Sequence, residues 1–462
     1  MRTCLIVLAG AMFAAVSGCA SSSRSLKEVS TRVEGGSGYK IDFSKEGGDA
    51  QNALLNEPLT AERAVEIAFR NNPALKANLE GLGVSSAEIA QARLPRNPVI
   101  EGNILYPEHG DGEITEVTIE QNFLSLLLIP MRSQIAGVSY RQLEYRLSQE
   151  VMDFALEVKR AYFVVLAAEQ RMKLRQAVFE TTEAAAEFAK RQREAGNVNE
   201  LFLQNEIAAS LESKLARARA EAELNFERQH LSELLGFPDR RQDLKISGEL
   251  PYIRTSEPAL DDLKKAALKE RLDLLAARKE VEIQRKNSFM GRLGILDEVD
   301  VGYKSEKELD GERAGGPQVR VGVPLFDLGR NAALGAAGRL KQSEYELAAI
   351  ENKIRSEVIT AHDRLFAARN SVVEYNDSII PARAKIVEEM QKHQNFMLVG
   401  LYDLLAAKRE EINAREEYIQ SLKEYWTSRA ELERATGRML PAGESMKPKN
   451  TAEPNKNEHA NH

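Results

Sequence analysis

Apolar and polar residues alternate one by one in four short segments and recur at steps of three and four in far longer ones. In 99–106, Ile100, Gly102, Ile104 and Tyr106 share a parity opposed to Glu101 and Asn103. In 114–123, Val117, Ile119 and Phe123 oppose Glu116, Thr118 and Glu120. Further on, Val299, Val301 and Tyr303 oppose Glu298, Asp300 and Lys304. Val319, Val321, Val323 and Leu325 oppose Gln318, Arg320 and Gly322. Period-two alternation predicts strands with one apolar and one wet face. At roughly 9–11 residues the segments also match membrane-crossing strands in length. The joining stretches 107–112 and 307–316 are polar and glycine-rich and read as hairpin loops.

The rest of the chain has helical period. Residues 131–194 predict one helix of about 64 residues, roughly 95 Å long. Within it Val151, Phe154, Ala155, Val158, Ala161, Tyr162 and Val165 form a stripe, echoed by Ile354, Val358, Ala361 and Leu365. Such stripes pack helix on helix, and the alanines permit close approach. Proline agrees: none lies between Pro130 and Pro238, and only Pro381 between Pro324 and Pro441. The long helices should end at 196–199 and 398–400, with Gly196 and Gly400 in the left-handed conformation that closes helices. Returning helices follow over 200–235 and 402–435 and finish at Gly236 and Gly437. Each half opens on a further helix, 59–94, capped by Thr60 with Glu62 behind it, and 259–291.

The halves align at an offset of about 200 residues. Glu157–Ala161 matches Glu357–Ala361, Glu144–Tyr145 matches Glu344–Tyr345, and Leu235–Gly236 answers Thr436–Gly437. The expected divisions are a signal over 1–18, a tether over 19–57, a first repeat over 58–240, a linker over 241–257, a second repeat over 258–439 and a polar tail over 440–462.

Composition narrows the function. Sixty-three basic against 70 acidic residues give a net charge of −7, no basis for nucleic-acid binding. Arg2 and the 13-residue apolar run 4–16 read as a secretory signal, too short to span a bilayer. Val16-Ser17-Gly18-Cys19 resembles a bacterial lipobox, which implies that Cys19 is the lipidated first mature residue; ordinary cleavage with Cys19 incidental is the alternative. With Cys4 removed, no disulfide remains. The six histidines (His109, His230, His362, His393, His459, His462) form no HExxH motif and accompany no nucleophile elbow or phosphate loop. Neither an enzyme nor a cofactor is expected.

Each half thus reads helix, hairpin, very long helix, tight turn, returning helix. Together with Leu59–Ala68 before Asn72-Pro73, Glu120–Phe123, Val323–Arg330 and Val399–Leu405, this order resembles the TolC-like outer-membrane efflux proteins, over about residues 58–439. Residues 124–130 depart from that family's strand-to-helix junction. The resemblance implies a mainly α fold with membrane β. In it, a duplicated unit of long helical hairpin plus β-hairpin assembles as a homotrimer into a 12-stranded barrel on a helical periplasmic tunnel. Partners would be a periplasmic adaptor protein, an inner-membrane transporter and outer-membrane lipid.

Site expectations follow from the same resemblance. Asp403 and Glu200 would ring a periplasmic gate; Ala406 stands where the family has a second acid. Gly196, Val198, Asn199, Leu201, Gly400, Leu401 and Leu404 would meet the adaptor. Glu101, Glu116, Glu120, Glu298, Asp300 and Arg320 would face the pore, an acidic excess that favours cations. Tyr106 and Tyr303 suit an interfacial girdle. The rival reading is a periplasmic coiled-coil scaffold lipoprotein without a pore, which has no use for lipid-facing valines at this spacing.

Overall fold

The computed structural model describes residues 29–35, 58–106, 113–239, 244–246, 248–293, 299–308, 310–322, 329–396 and 398–441. Cys19, Glu298 and the junction 323–328 lie outside these. Helices α1 (Ala61–Asn71) and α2 (Pro73–Ala92) precede strands β1 (Val99–Leu105) and β2 (Ile114–Asn122). Then come α3 (Phe123–Leu127), α4 (Ile129–Glu194) and α5 (Glu200–Leu234). The second half gives α6 (Leu260–Glu270), α7 (Leu272–Leu293), β3 (Val299–Lys307), β4 (Arg313–Val321), α8 (Arg330–Glu374), a π turn (Tyr375–Ile379), α9 (Ile380–Asn395) and α10 (Leu401–Thr436). Contacts gather the chain into two compact units, each drawing on both halves. One takes in 77–149 and 272–353 and carries the sheet; the other takes in 58–76, 150–271 and 354–441.

The opening helices are each broken once, where unbroken helices were expected. Pro73 bars helical geometry at the residue before it, and Asn72 sits at ψ 116°. The Asn72 side chain repairs the break by accepting the Leu75 N–H at 3.1 Å and donating to Leu234 O at 3.1 Å. In the second half no proline marks the break. Arg271 turns extended at ψ 126°. Its buried guanidinium bonds Glu357 and, at 3.2 Å, Ala435 O. A long-range ion pair there does what Pro73 does in the first half. Thr60 caps α1 as expected, accepting the Arg63 N–H at 3.2 Å.

Helix α4 runs 66 residues without interruption. Pro130 falls in its first turn, where a missing N–H costs nothing. Pro381 is handled differently. Within α8–α9 its absent N–H and ring would clash with a regular turn, and the chain widens into the π turn just before it.

In the second unit Phe163 stacks on Trp426 at 5.0 Å, and Tyr425 meets Trp426 edge-on. The expected linker is part of this core, with Leu244, Leu250 and Ile253 buried. Trp426 Nε1 donates to Pro251 O at 2.7 Å, Tyr425 donates to Glu257 at 2.6 Å, and the Arg254 N–H donates to Tyr425 at 3.0 Å.

Gly236 and Gly437 take φ +82° and +72°, so both returning helices do close left-handed. A Cβ on Gly236 would come within 2.8 Å of Asn71 O, whereas Gly196 at φ +79° has open space around it. Gly196→Ala should therefore cost only the backbone term, about 1 kcal/mol. Gly236→Ala should cost clearly more, measured as a larger drop in the thermal unfolding midpoint.

The sheet is an antiparallel meander in the order β1-β2-β3-β4. Its register places Ile100, Ile119, Tyr303 and Pro317 in one row, with Gly102, Val117, Ser305 and Gly315 in the next. Strand β4 begins at Arg313, inside the stretch expected to be loop. Gly315 is a strand residue because Tyr303 lies over it: a Cβ there would meet the Tyr303 hydroxyl at 2.7 Å. Tyr303 thus sits mid-strand, covering a glycine.

Candidate functional site

The register brings five of the six expected pore residues onto one face of the sheet: Glu101 on β1, Glu116 and Glu120 on β2, Asp300 on β3 and Arg320 on β4. The sixth, Glu298, lies outside the described residues. Lys304 and Glu306 join the same face. Glu306 was missed, although period two carried two residues beyond Lys304 would have found it. Lys304 Nζ sits 2.9 Å from Glu116 and 3.4 Å from Glu306; Arg320 sits 2.9 Å from Glu120. Gln318 also donates to Glu120, at 3.2 Å, and Asn122 to Asp300 at 3.0 Å. A Cβ on Gly302 would run into the Ile119 carbonyl oxygen and come within 2.9 Å of Glu120 Cγ, so this glycine lets β2 and β3 approach closely. Five acids against two bases leave the face acidic.

The burial of this sheet is inverted. On β2, Thr118 and Glu120 are 8% and 7% exposed while Val117 and Ile119 are 42% and 49% exposed. Val301, Val319 and Val321 are exposed too. A water-soluble sheet hides its apolar face and wets its polar one; β2 and β3 do the reverse, while β1 is exposed on both faces.

The helix turns form the second candidate region. At the first, the Asn197 N–H donates to Gln192 O at 2.8 Å and the Gly196 N–H to Arg193 O at 3.0 Å, which ends α4. Asn199 caps α5 by accepting the Phe202 N–H at 2.8 Å. Glu200 bonds Gln204 and, at 3.2 Å, Arg193; these bonds hold its carboxyl below the usual range. Leu201 is 68% exposed, and Val198 is half-buried.

The second turn is built otherwise. Gly400 has φ −74°, not the left-handed value expected, because it starts a helix rather than ending one. Asp403 reaches back to accept the Gly400 N–H at 3.1 Å, the N3 half of a capping box, with no side chain on Gly400 to supply the other half. Leu401 opens α10, and Leu404 lies half-buried in its first turn. Phe396 and Leu398 are 77% and 69% exposed here. Sequence reading passed over Phe396 because a lone aromatic after Gln394-Asn395 carries no periodic signal.

Among the described residues no group of three or more His, Cys, Asp or Glu side chains is placed to hold a metal ion. No described helix is long and apolar enough to cross a membrane.

No family model matches the chain. The cobalt-zinc-cadmium resistance protein CzcC of Cupriavidus metallidurans is 23% identical over 389 residues, 82% of this chain and 90% of that protein. The outer-membrane channel OprN superposes with a TM-score of 0.69 at 18% identity, covering 86% of this chain and 94% of OprN. The chain has the fold of the TolC-like outer-membrane channels. MtrE of Neisseria gonorrhoeae, solved as an open-state outer-membrane channel, agrees with a TM-score of 0.66 at 17% identity over 82% of this chain and 89% of MtrE.

Proposed function

We propose that three copies of this chain join their sheets into one 12-stranded barrel in the outer membrane. The assembly would give passive exit to substrates of a tripartite efflux pump or secretion system. The inverted burial of the sheet carries this reading. Its apolar face suits lipid and its acidic face suits a water-filled lumen. Two unpaired edges, on β1 and β4, are tolerated in lipid only if the barrel closes. The repeats 58–240 and 258–439 supply two strands each. Cys19 carries a lipid anchor in this reading. The turns around Gly196, Val198, Asn199, Leu201, Gly400, Leu401 and Leu404 meet a periplasmic adaptor that links the channel to an inner-membrane transporter. CzcC is named for cobalt, zinc and cadmium resistance; an acidic lumen suits such cations, as it suits any cationic cargo. A poreless scaffold would leave the exposed valines unexplained. The test is migration and crosslinking: a crosslinkable trimer that migrates differently after heating supports the channel, and a monomer whose migration heating does not change supports the scaffold.

Three Asp403 carboxylates about the threefold axis would narrow and charge the periplasmic aperture. Asp403→Ala should raise single-channel conductance and weaken block by divalent cations. Unchanged block would reduce Asp403 to its capping bond with the Gly400 N–H. Glu200, the other expected gate acid, already bonds Arg193 within its own turn, and its loss should matter less.

A further inference from the structure

We infer the register of the seam between copies: β4 of one chain pairs with β1 of the next so that Arg320 lies opposite Glu101 of that second copy. The inference rests on the trimeric barrel proposed above and deepens it.

The Glu308 N–H donates to Glu312 O at 2.9 Å, and Glu308 and Glu312 continue the β3–β4 register by one step. Even-numbered residues of β3 and β4 therefore bond each other, and odd-numbered residues of β4 turn their backbone polar groups to the open edge. Pro317 is among these, so the seam is one backbone N–H donor short at that position.

The rows of the sheet then limit the closure. Glu101 stands level with Thr118, Lys304 and Gly316. Closing without offset would put Glu101 of the next copy opposite Gly316 and leave the strands untilted. Barrel strands tilt about 35–45°. The two faces must also stay on their own sides, so the offset per copy is even. With about 3.4 Å per residue and 4.8 Å between strands, an offset of about two residues per copy gives a tilt near 20°, about four gives 35° and about six gives 47°. Four fits. Its opposite sense would set β1 against the 308–314 turn region, so β1 meets the C-terminal end of β4.

This register pairs β1 from Ile100 to Leu105 with β4 from Val321 back to Gly316. The side chains agree with it. On the polar face Arg320 meets Glu101 and Gln318 meets Asn103; on the apolar face Val321 meets Ile100 and Val319 meets Gly102. Both Glu101 and Arg320 are exposed in the single chain. Glu120 takes one of the five guanidinium N–H donors of Arg320, leaving others to bridge the seam.

Disulfide trapping in outer membranes tests this, using full-length protein with Cys19 retained and single-cysteine controls. Glu101→Cys with Arg320→Cys should give a covalent trimer ladder on non-reducing gels, and so should Asn103→Cys with Gln318→Cys. The second pair spares the Arg320–Glu120 ion pair if its loss impairs folding. Shifted pairs, Glu101→Cys with Gln318→Cys and Asn103→Cys with Arg320→Cys, should give at least fivefold less. A ladder from a shifted pair overturns this register while the barrel stands. A heat-modifiable trimer with no ladder from any pair overturns it likewise. No trimer and no ladder overturns both the register and the barrel.

Discussion

Ile119→Arg should abolish the heat-modifiable trimer. Ile119 lies mid-strand between Ile100 and Tyr303 and is 49% exposed in the single chain. On a water-facing surface such a change stays within about 0.5 kcal/mol. Facing hydrocarbon, an arginine near the bilayer midplane costs about 2–4 kcal/mol, and a trimer bears it three times. Urea titration of refolding into phospholipid vesicles would measure the loss per chain. Glu306→Gln, one strand away on the polar face, is the matched control and should refold normally. Equal behaviour of the two variants would mean that the sheet's faces are not divided between lipid and water.

The second large effect lies in the helical unit. Lys159 on α4 and Glu433 on α10 pair at 2.7 Å, with side chains only 10% and 2% exposed. Glu433 also receives the Leu440 N–H at 3.4 Å. Removing one partner leaves the other charged, buried and uncompensated, which costs about 3–5 kcal/mol. Lys159→Met and Glu433→Leu should each lower the thermal midpoint sharply by far-UV circular dichroism. The double variant should recover most of the loss, because two apolar groups of similar volume leave no orphaned charge. If the double variant is as unstable as the sum of the singles, the pair acts through packing rather than charge.

The faces of the sheet were legible in the sequence because parity does not depend on which strands pair. Glu116, Glu120, Asp300 and Arg320 therefore landed together without knowledge of the register. What parity cannot supply is the partner: Lys304 with Glu116 and Arg320 with Glu120 are contacts across the two halves of the chain. The helix breaks divide in the same way. Pro73 announces one locally, while the other, at Arg271, is set by Glu357 and the Ala435 carbonyl and has no local sign. Both turns carry a glycine, yet Gly196 ends a helix and Gly400 begins one, a difference decided by Asp403 three residues on. Burial of Leu250 and Ile253 in the expected linker carried no signal in the sequence, since the stretch is tied to Tyr425 and Trp426, far off along the chain, by bonds at Glu257 and Pro251.

The central claim is that the inverted sheet is part of a closed pore wall in lipid. Electron cryomicroscopy of the purified full-length protein in lipid nanodiscs tests it most directly. The account predicts a threefold particle with twelve strands inside the lipid belt, Ile119 and Val301 turned to lipid, and Glu116 and Glu120 turned to a continuous lumen. A particle whose sheet lies outside the belt, or whose Ile119 face is covered by protein rather than lipid, would contradict it.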